Sequence, residues 1–265
     1  MTAAQRDPWQ GLSALTPARI AIGRAGGSLP TREVLSFALA HAQARDAVHA
    51  HFDRAEIAGR LRQLGLTPVE VESQARDRAT YLRRPDLGRQ LDEASRRRIE
   101  VATDGKDCEL AIMIGDGLSA IAAAAHAPTV VGALLPHLKT LGLKLGPVVV
   151  AEGARVALGD AVGALLRARL VAVLIGERPG LSAADSLSVY LTFAPRSGRT
   201  DAERNCISNI RPGGHPPDAA AQNLAWLIDA ALELQVTGVA LKDQSGHGLG
   251  AAAASATASI EPPKG

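Results

Sequence analysis

Glu177 and Arg178 stand side by side in LIGERPGLSAADSLSVYLTFAP, between Gly176 and the Pro179–Gly180 pair. A carboxylate beside a guanidinium where an apolar run stops is either a solvated ion pair of little energetic weight or a pair of polar handles for a ligand. Three more segments carry such groups behind apolar runs. GDGLSA offers Asp116 and Ser119, AEGARVALGD offers Glu152 and Arg155, and APRSGRT offers Arg196 and Arg199. Asp116 equally suits a turn or a helix cap. Further on, RNCISNIRPGGHPP places Cys206 ahead of His215, with Gly213 and Gly214 between. Cys206 reads as a small hydrophobe or as a ligand contact. The sequence does not set its distance from His215, so a nucleophilic pair has little to stand on.

Several familiar chemistries drop out. MIGDGLSA has Gly115 and Gly117 between a strand and a helix, but Ala120 stands where a dinucleotide fingerprint needs its third glycine. No GxxxxGK[ST] string occurs, which removes a Walker-type nucleotide hydrolase. The two cysteines, Cys108 and Cys206, form no C-x-x-C and no zinc-spaced group with histidine. His41, His49 and His51 have no evident metal partners, and His41 is expected as a hydrogen-bonded core residue. The sequence therefore offers no catalytic set and no metal site. Its loops look built to hold something large, or to complete another chain's site.

Positioning those loops falls to a chain of 265 residues with 46% hydrophobic but only 3% aromatic content, so alanine, leucine and valine must make the core. A formal charge of +2 gives no support to nucleic-acid binding. Two cysteines suit a reduced, cytosolic chain. MTAAQRDPWQGLSAL has no apolar run and is not expected to be a signal peptide. No membrane span is expected, because AIAAAAHAPTVVGALLPHL is interrupted by His126, Pro128 and Pro136.

Residues 1–100 carry 28 charged side chains and residues 101–250 carry 26, so charge density falls near RRRIEVATDG. We expect a smaller, mostly helical region over 1–100, a Rossmann-like domain over 101–248 and a frayed tail over 249–265. Thr31 is the expected cap of a helix whose packed face is Val34, Ala38, His41, Ala42, Arg45 and Val48; Asp53 and Thr67 are candidate caps further on. ELAIMI, GPVVVA, LVAVLIG and LSVYLTFA read as strands alternating with the helical SAIAAAAHA and VALGDAVGALLRA. RNCISNIRPGGHPP reads as a long structured loop, PPDAAAQNLAWLIDAALELQ as a helix and GVALK as a last strand. Near-continuous apolar strands of this kind belong to a mainly parallel, open sheet covered on both faces.

Four strings, GRAGGSLPTREVLSFALAHAQARDAVH, DGLSA, LIGERPGLSAADSLSVYLTFAPR and RNCISNIRPGGHPP, resemble in order and spacing the small (light) subunit of ethanolamine ammonia-lyase. The resemblance runs from about Leu15 to Asp243. It implies a Rossmann-like subunit that packs on a TIM-barrel large subunit, in an assembly of six large and six small chains. It also implies that adenosylcobalamin is held between the two, with Val156, Glu177 and Cys206 as this chain's cofactor contacts. The large subunit would bind ethanolamine and carry the catalytic residues, and radical chemistry would give acetaldehyde and ammonia. Such an enzyme is bacterial and cytoplasmic. In some relatives a longer N-terminal extension serves packaging in an ethanolamine-utilisation microcompartment. Ala157 departs from the family pattern, which commonly has glycine there. Without the resemblance, a nicotinamide-dependent oxidoreductase domain or a non-enzymatic oligomeric scaffold remains open.

Overall fold

The computed structural model describes residue 7 and residues 9–16 and 18–244; the tail expected over 249–265 lies outside them. Six strands form one sheet: β1 (Pro68–Glu72), β2 (Cys108–Gly115), β3 (Leu145–Glu152), β4 (Ala168–Gly176), β5 (Leu187–Phe193) and β6 (Arg204–Ile210). Their order is β1-β3-β2-β4-β5-β6. The first three pairings are parallel and the last two antiparallel. The sheet is thus the open, mainly parallel α/β sheet expected.

Among the described residues seven α-helices surround it: α1 (Thr31–His49), α2 (Arg54–Gln63), α3 (Arg78–Arg83), α4 (Glu93–Thr103), α5 (Ala120–Thr140), α6 (Leu158–Leu165) and α7 (Pro217–Leu234). Asp53, Asp77 and Asp92 cap α2, α3 and α4 by accepting from backbone N–H groups three residues on. One core lies between the sheet and α2, α5 and α7, and is built from residues such as Ile112, Val150, Leu174, Leu191, Leu134 and Leu224. The other lies on the α4 and α6 side, around Met113, Val149, Val173, Ile99 and Leu158.

α5 is apolar and long enough to cross a membrane by composition alone, yet it packs as a core helix, with Val130, Val131, Leu134 and Leu138 buried. It continues through Pro128 and Pro136. Pro128 has no N–H to give the carbonyl one turn back, Ala124. The Arg60 guanidinium from α2 donates to that carbonyl instead.

Five local expectations need correction. RNCISNI is not loop but the edge strand β6, because Val189, Tyr190, Leu191 and Thr192 of β5 give it a ladder partner. GVALK is not a strand; Gly238–Ala240 is a 3-10 turn. Thr31 is the first helical residue of α1, with Pro30 at the cap position, and Thr67 precedes strand β1 rather than a helix. His41 is exposed, since α1 buries Ala40 and Ala47 rather than the expected face. Finally, β1 was not foreseen. Its PVEVE alternates as a half-covered edge strand should, and it adds itself to β3, so the sheet draws on both sides of the expected boundary.

Candidate functional site

Strand alternation creates the site. In β5, Leu187, Val189 and Leu191 point into the core under α5 and α7. Ser188, Tyr190 and Thr192 therefore face the other way. In β6, Ile207 and Ile210 join that same core, whereas Cys206 is exposed. The helices on the Tyr190 side, α4 and α6, pack on β1 to β4. Ser188 and Thr192 are nevertheless buried, so the outer half of the sheet is open at half-buried Tyr190 and exposed Cys206.

Glu177 projects at the edge of this face from the end of β4. It does not pair with Arg178; its Oε1 accepts from the Ser188 hydroxyl and from the Asn209 backbone N–H at 2.9 Å. Both bonds go to Oε1, and Oε2 has no hydrogen-bond partner among the described residues. Glu177 lines a cavity of about 160 Å³ with Val156, Arg155, Tyr81, Ser188 and Tyr190. Cys206 lies opposite Tyr190 in the β5–β6 register. Crowding around the sulfur pushes the Cys206 thiol above its ordinary value; the hydroxyls of Tyr190 and Ser188 pull the other way, and the Glu177 charge adds to the rise. Burial likewise pushes the Tyr190 phenol up to about 12. At neutral pH this face presents the Cys206 thiol and the Tyr190 hydroxyl, while the buried Ser188 hydroxyl is donated to Glu177. A thiol held above its usual pKa is a poor nucleophile. His215 turns to Asn223, with Nε2 3.5 Å from the amide nitrogen, and no hydrogen bond joins it to Cys206.

The loop that carries Val156 is pinned from behind. Asp116 Oδ1 accepts from Gly117 N–H at 3.0 Å and from Ala154 N–H at 2.8 Å, and Oδ2 meets Arg78 at 3.2 Å. Arg78 also donates to the carbonyls of Val48 and Gly117, so it ties the end of α1 to the β2 turn. Burial raises the Asp116 carboxyl to about 6, against the opposing pull of the Ala154 and Gly153 N–H groups and of Arg78. Tyr81, fully buried, donates to the Ala154 carbonyl, and the guanidiniums of Arg78 and Arg155 lie 4.7 and 4.2 Å from its ring centre.

The structure divides the residues that the sequence grouped into one crevice. Arg155, Glu177 and Arg178 share the cavity just described. Asp116 and Glu152 line a different one, of about 220 Å³, with His49, His51 and Arg78. Ser119 is buried, capping α5 and donating to Ala184 O. Arg196 and Arg199 follow the antiparallel strand β5, and Arg199 lines a third cavity, which it shares with Arg155 and Val156. Tyr81, Ser188 and Tyr190 were missed. The alternation of LSVYLTF was the available signal for the last two; Tyr81 comes from a distant segment and left none.

The glycines of the β2 turn have a packing role. A Cβ on Gly117 would meet Gly176 O at 2.2 Å, and one on Gly176 would meet Ser119 O at 2.0 Å. Leu118 N–H donates to Gly176 O. The chain's own backbone thus closes over the start of α5, where a nucleotide pyrophosphate would need to sit, which counts against the oxidoreductase alternative. Among the described residues, no group of three His, Cys, Asp or Glu side chains is placed to hold a metal ion.

Fold and site together define an α/β protein with a Rossmann-like, mainly parallel sheet and a small polar cavity at the end of β4. Comparison with known proteins makes this specific. The family model for the ethanolamine ammonia-lyase light chain (EutC) matches residues 6–242. The ethanolamine ammonia-lyase small subunit of Rhodopseudomonas palustris is 58% identical over 88% of this chain and 89% of its own length. That of Bradyrhizobium diazoefficiens is 58% identical over 92% and 93%, and that of Azotobacter vinelandii 52% over 91% and 90%. The chain belongs to the ethanolamine ammonia-lyase light-chain family and is the small-subunit component of that lyase.

Proposed function

We propose that the open β5–β6 face and the Val156 loop form this chain's share of an adenosylcobalamin site, completed by a TIM-barrel large subunit that binds ethanolamine and carries the catalytic residues. The observation that carries the reading is the Glu177 carboxylate, held through Oε1 with Oε2 left free. A corrin rim carries amides whose N–H groups need acceptors, and the donor set fits. Glu177 would accept from such an amide, the Tyr190 hydroxyl can donate or accept, and Val156 and Cys206 would pack against the ring's edge. When bound, adenosylcobalamin supplies the radical that starts the conversion of ethanolamine to acetaldehyde and ammonia. This chain's residues bind and orient it, and its sheet shields one side from water.

A partner also fits the surface of α1. Val34, Leu35, Phe37 and Leu39 are 49%, 63%, 48% and 60% exposed on one 19-residue helix. An assembly of six large and six small chains in the bacterial cytoplasm would cover such a surface. The test is co-purification of the full chain with its cognate large subunit, followed by an assay for acetaldehyde release with and without adenosylcobalamin. Cofactor-dependent turnover by the complex, and none by this chain alone, is expected. Turnover by the chain alone, or a complex that does not take up cobalamin, would contradict the reading.

A further inference from the structure

Beside Val156 lies a second cavity, of about 390 Å³, whose lining includes Arg89, Arg155, Arg199, Thr200, Asp201 and Arg204. Four guanidiniums in one cavity repel each other unless something offsets them. Two are offset within the chain. Arg204 is buried against Asp160 in a two-pronged pair, with both contacts at 2.7 Å, and Arg199 pairs with Glu203. Arg89 and Arg155 have no carboxylate within 4 Å among the described residues. Asp201 is the one acid of the lining; its side chain is 96% exposed and stands 3.5 Å from Arg204 Nε.

Arg155 is also held ready. Its guanidinium lies 4.2 Å from the Tyr81 ring centre, its Nη2 donates to Tyr81 O at 2.9 Å, and its backbone N–H donates to Gly88 O at 2.8 Å. Its Nε is buried with no hydrogen-bond partner. A buried charged donor without a partner is costly and rare. A tetrahedral oxyanion would supply the missing countercharge, and planar guanidiniums match its oxygens better than any other side chain.

We propose that this cavity binds a phosphate-class oxyanion between Arg89 and Arg155. Two sources carry that chemistry: the phosphodiester in the nucleotide tail of cobalamin, or free phosphate. Val156 lines both this cavity and the one at Glu177, so a single ligand can reach both. The tail source rests on the cofactor reading above; the free-phosphate source does not.

The test uses the full chain in complex with its large subunit, as wild type, Arg155→Gln and Arg89→Gln. Arg89 is exposed and has no side-chain partner to lose, so its variant guards against misfolding. Inorganic phosphate is titrated at constant ionic strength and followed by ³¹P line broadening. Cobalamin and cobinamide, the corrinoid without the phosphodiester tail, are titrated optically. For the tail source, Arg89→Gln weakens cobalamin roughly 10-fold or more and leaves cobinamide unchanged, and Arg155→Gln, which also touches the Glu177 cavity, weakens cobalamin more than cobinamide. For free phosphate, the variants lose the phosphate signal by a similar factor while Arg89→Gln binds both corrinoids as before. The proposal is overturned if the variants diminish no wild-type phosphate signal and cobalamin affinity either stays constant or changes in step with cobinamide. A wild-type complex that binds neither corrinoid would remove the cofactor reading, and the phosphate arm would still decide the cavity.

Discussion

The two faces of the β5–β6 hairpin share one backbone and do opposite work. On one face Leu187, Val189, Leu191, Ile207 and Ile210 are buried under α5 and α7. On the other, Tyr190 is half-buried, Cys206 is exposed, and the Glu177 carboxylate is tethered across Ser188 and Asn209. The first face is complete within the chain, as hydrophobic burial requires. The second keeps hydrogen-bonding groups that the chain does not use up. The same contrast separates α5 from α1. α5 buries Val130, Val131, Leu134 and Leu138, whereas α1 leaves Leu35, Phe37 and Leu39 in the open. What this molecule leaves unfinished lies on surfaces that a cofactor and a partner chain can cover.

The sharpest way to break the comparison is to exchange the expected phenotypes of its two sides. Leu191→Ala on the covered face should cost about 2–5 kcal/mol of stability, read as a lower denaturant midpoint at unchanged slope, with cobalamin affinity of the folded complex retained. Glu177→Ala on the open face should do the reverse. Losing a charged hydrogen bond to the ligand costs about 1.5–3 kcal/mol, or roughly 10- to 150-fold in dissociation constant, with a smaller drop of the unfolding midpoint than in Leu191→Ala, because Ser188 and Asn209 lose their acceptor. An optical titration of the assembled complex checks this, and an unchanged affinity would take Glu177 out of the site.

A subtler effect is expected at Asp116, which pins the Val156 loop. Its folded-state pKa is raised from 3.8 to about 6 by burial. Between these values the folded chain holds a proton that the unfolded chain has released. Its contribution to stability therefore grows as pH falls from 6 towards 4 and is lost as pH rises through 6. Asp116→Asn should remove that pH dependence, as measured by denaturant unfolding at pH 5 and pH 7; parallel behaviour of the two proteins would refute the assignment. The smallest effect is expected for Cys206→Ser, which should keep substantial turnover in the assembled complex, because an imperfect contact replaces a contact but not a nucleophile. Complete loss with normal assembly and cofactor content would reopen a catalytic thiol.

Much of this architecture was legible in the sequence, for reasons that also explain what was not. β2, β3, β4 and β5 announce themselves as apolar runs because they are covered by helices or paired on both sides. β6 did not, because RNCISNI is an edge strand with polar residues on its open side, which in one dimension looks like loop. His41 was misplaced for a related reason. A helix whose apolar residues face outward has the same periodicity as one that faces a core, and nothing in the sequence tells which side the rest of the chain occupies. Glu177 stood out because glycine and proline bracket it. Its partners, Ser188 and Asn209, are brought to it only by β4–β5–β6 pairing, and Tyr81 reaches the Val156 loop from a helix more than seventy residues away.

The central claim, that cobalamin covers the open face, is tested most directly at the Cys206 sulfur. The assembled complex is treated with a thiol reagent at mildly alkaline pH, with and without bound cobalamin, and labelling of Cys206 is followed by peptide mass; buried Cys108 serves as the internal reference. The account predicts that bound cobalamin slows labelling of Cys206 and leaves Cys108 unchanged. Equal Cys206 rates in the two samples, with subunit association intact and cofactor bound, would contradict it.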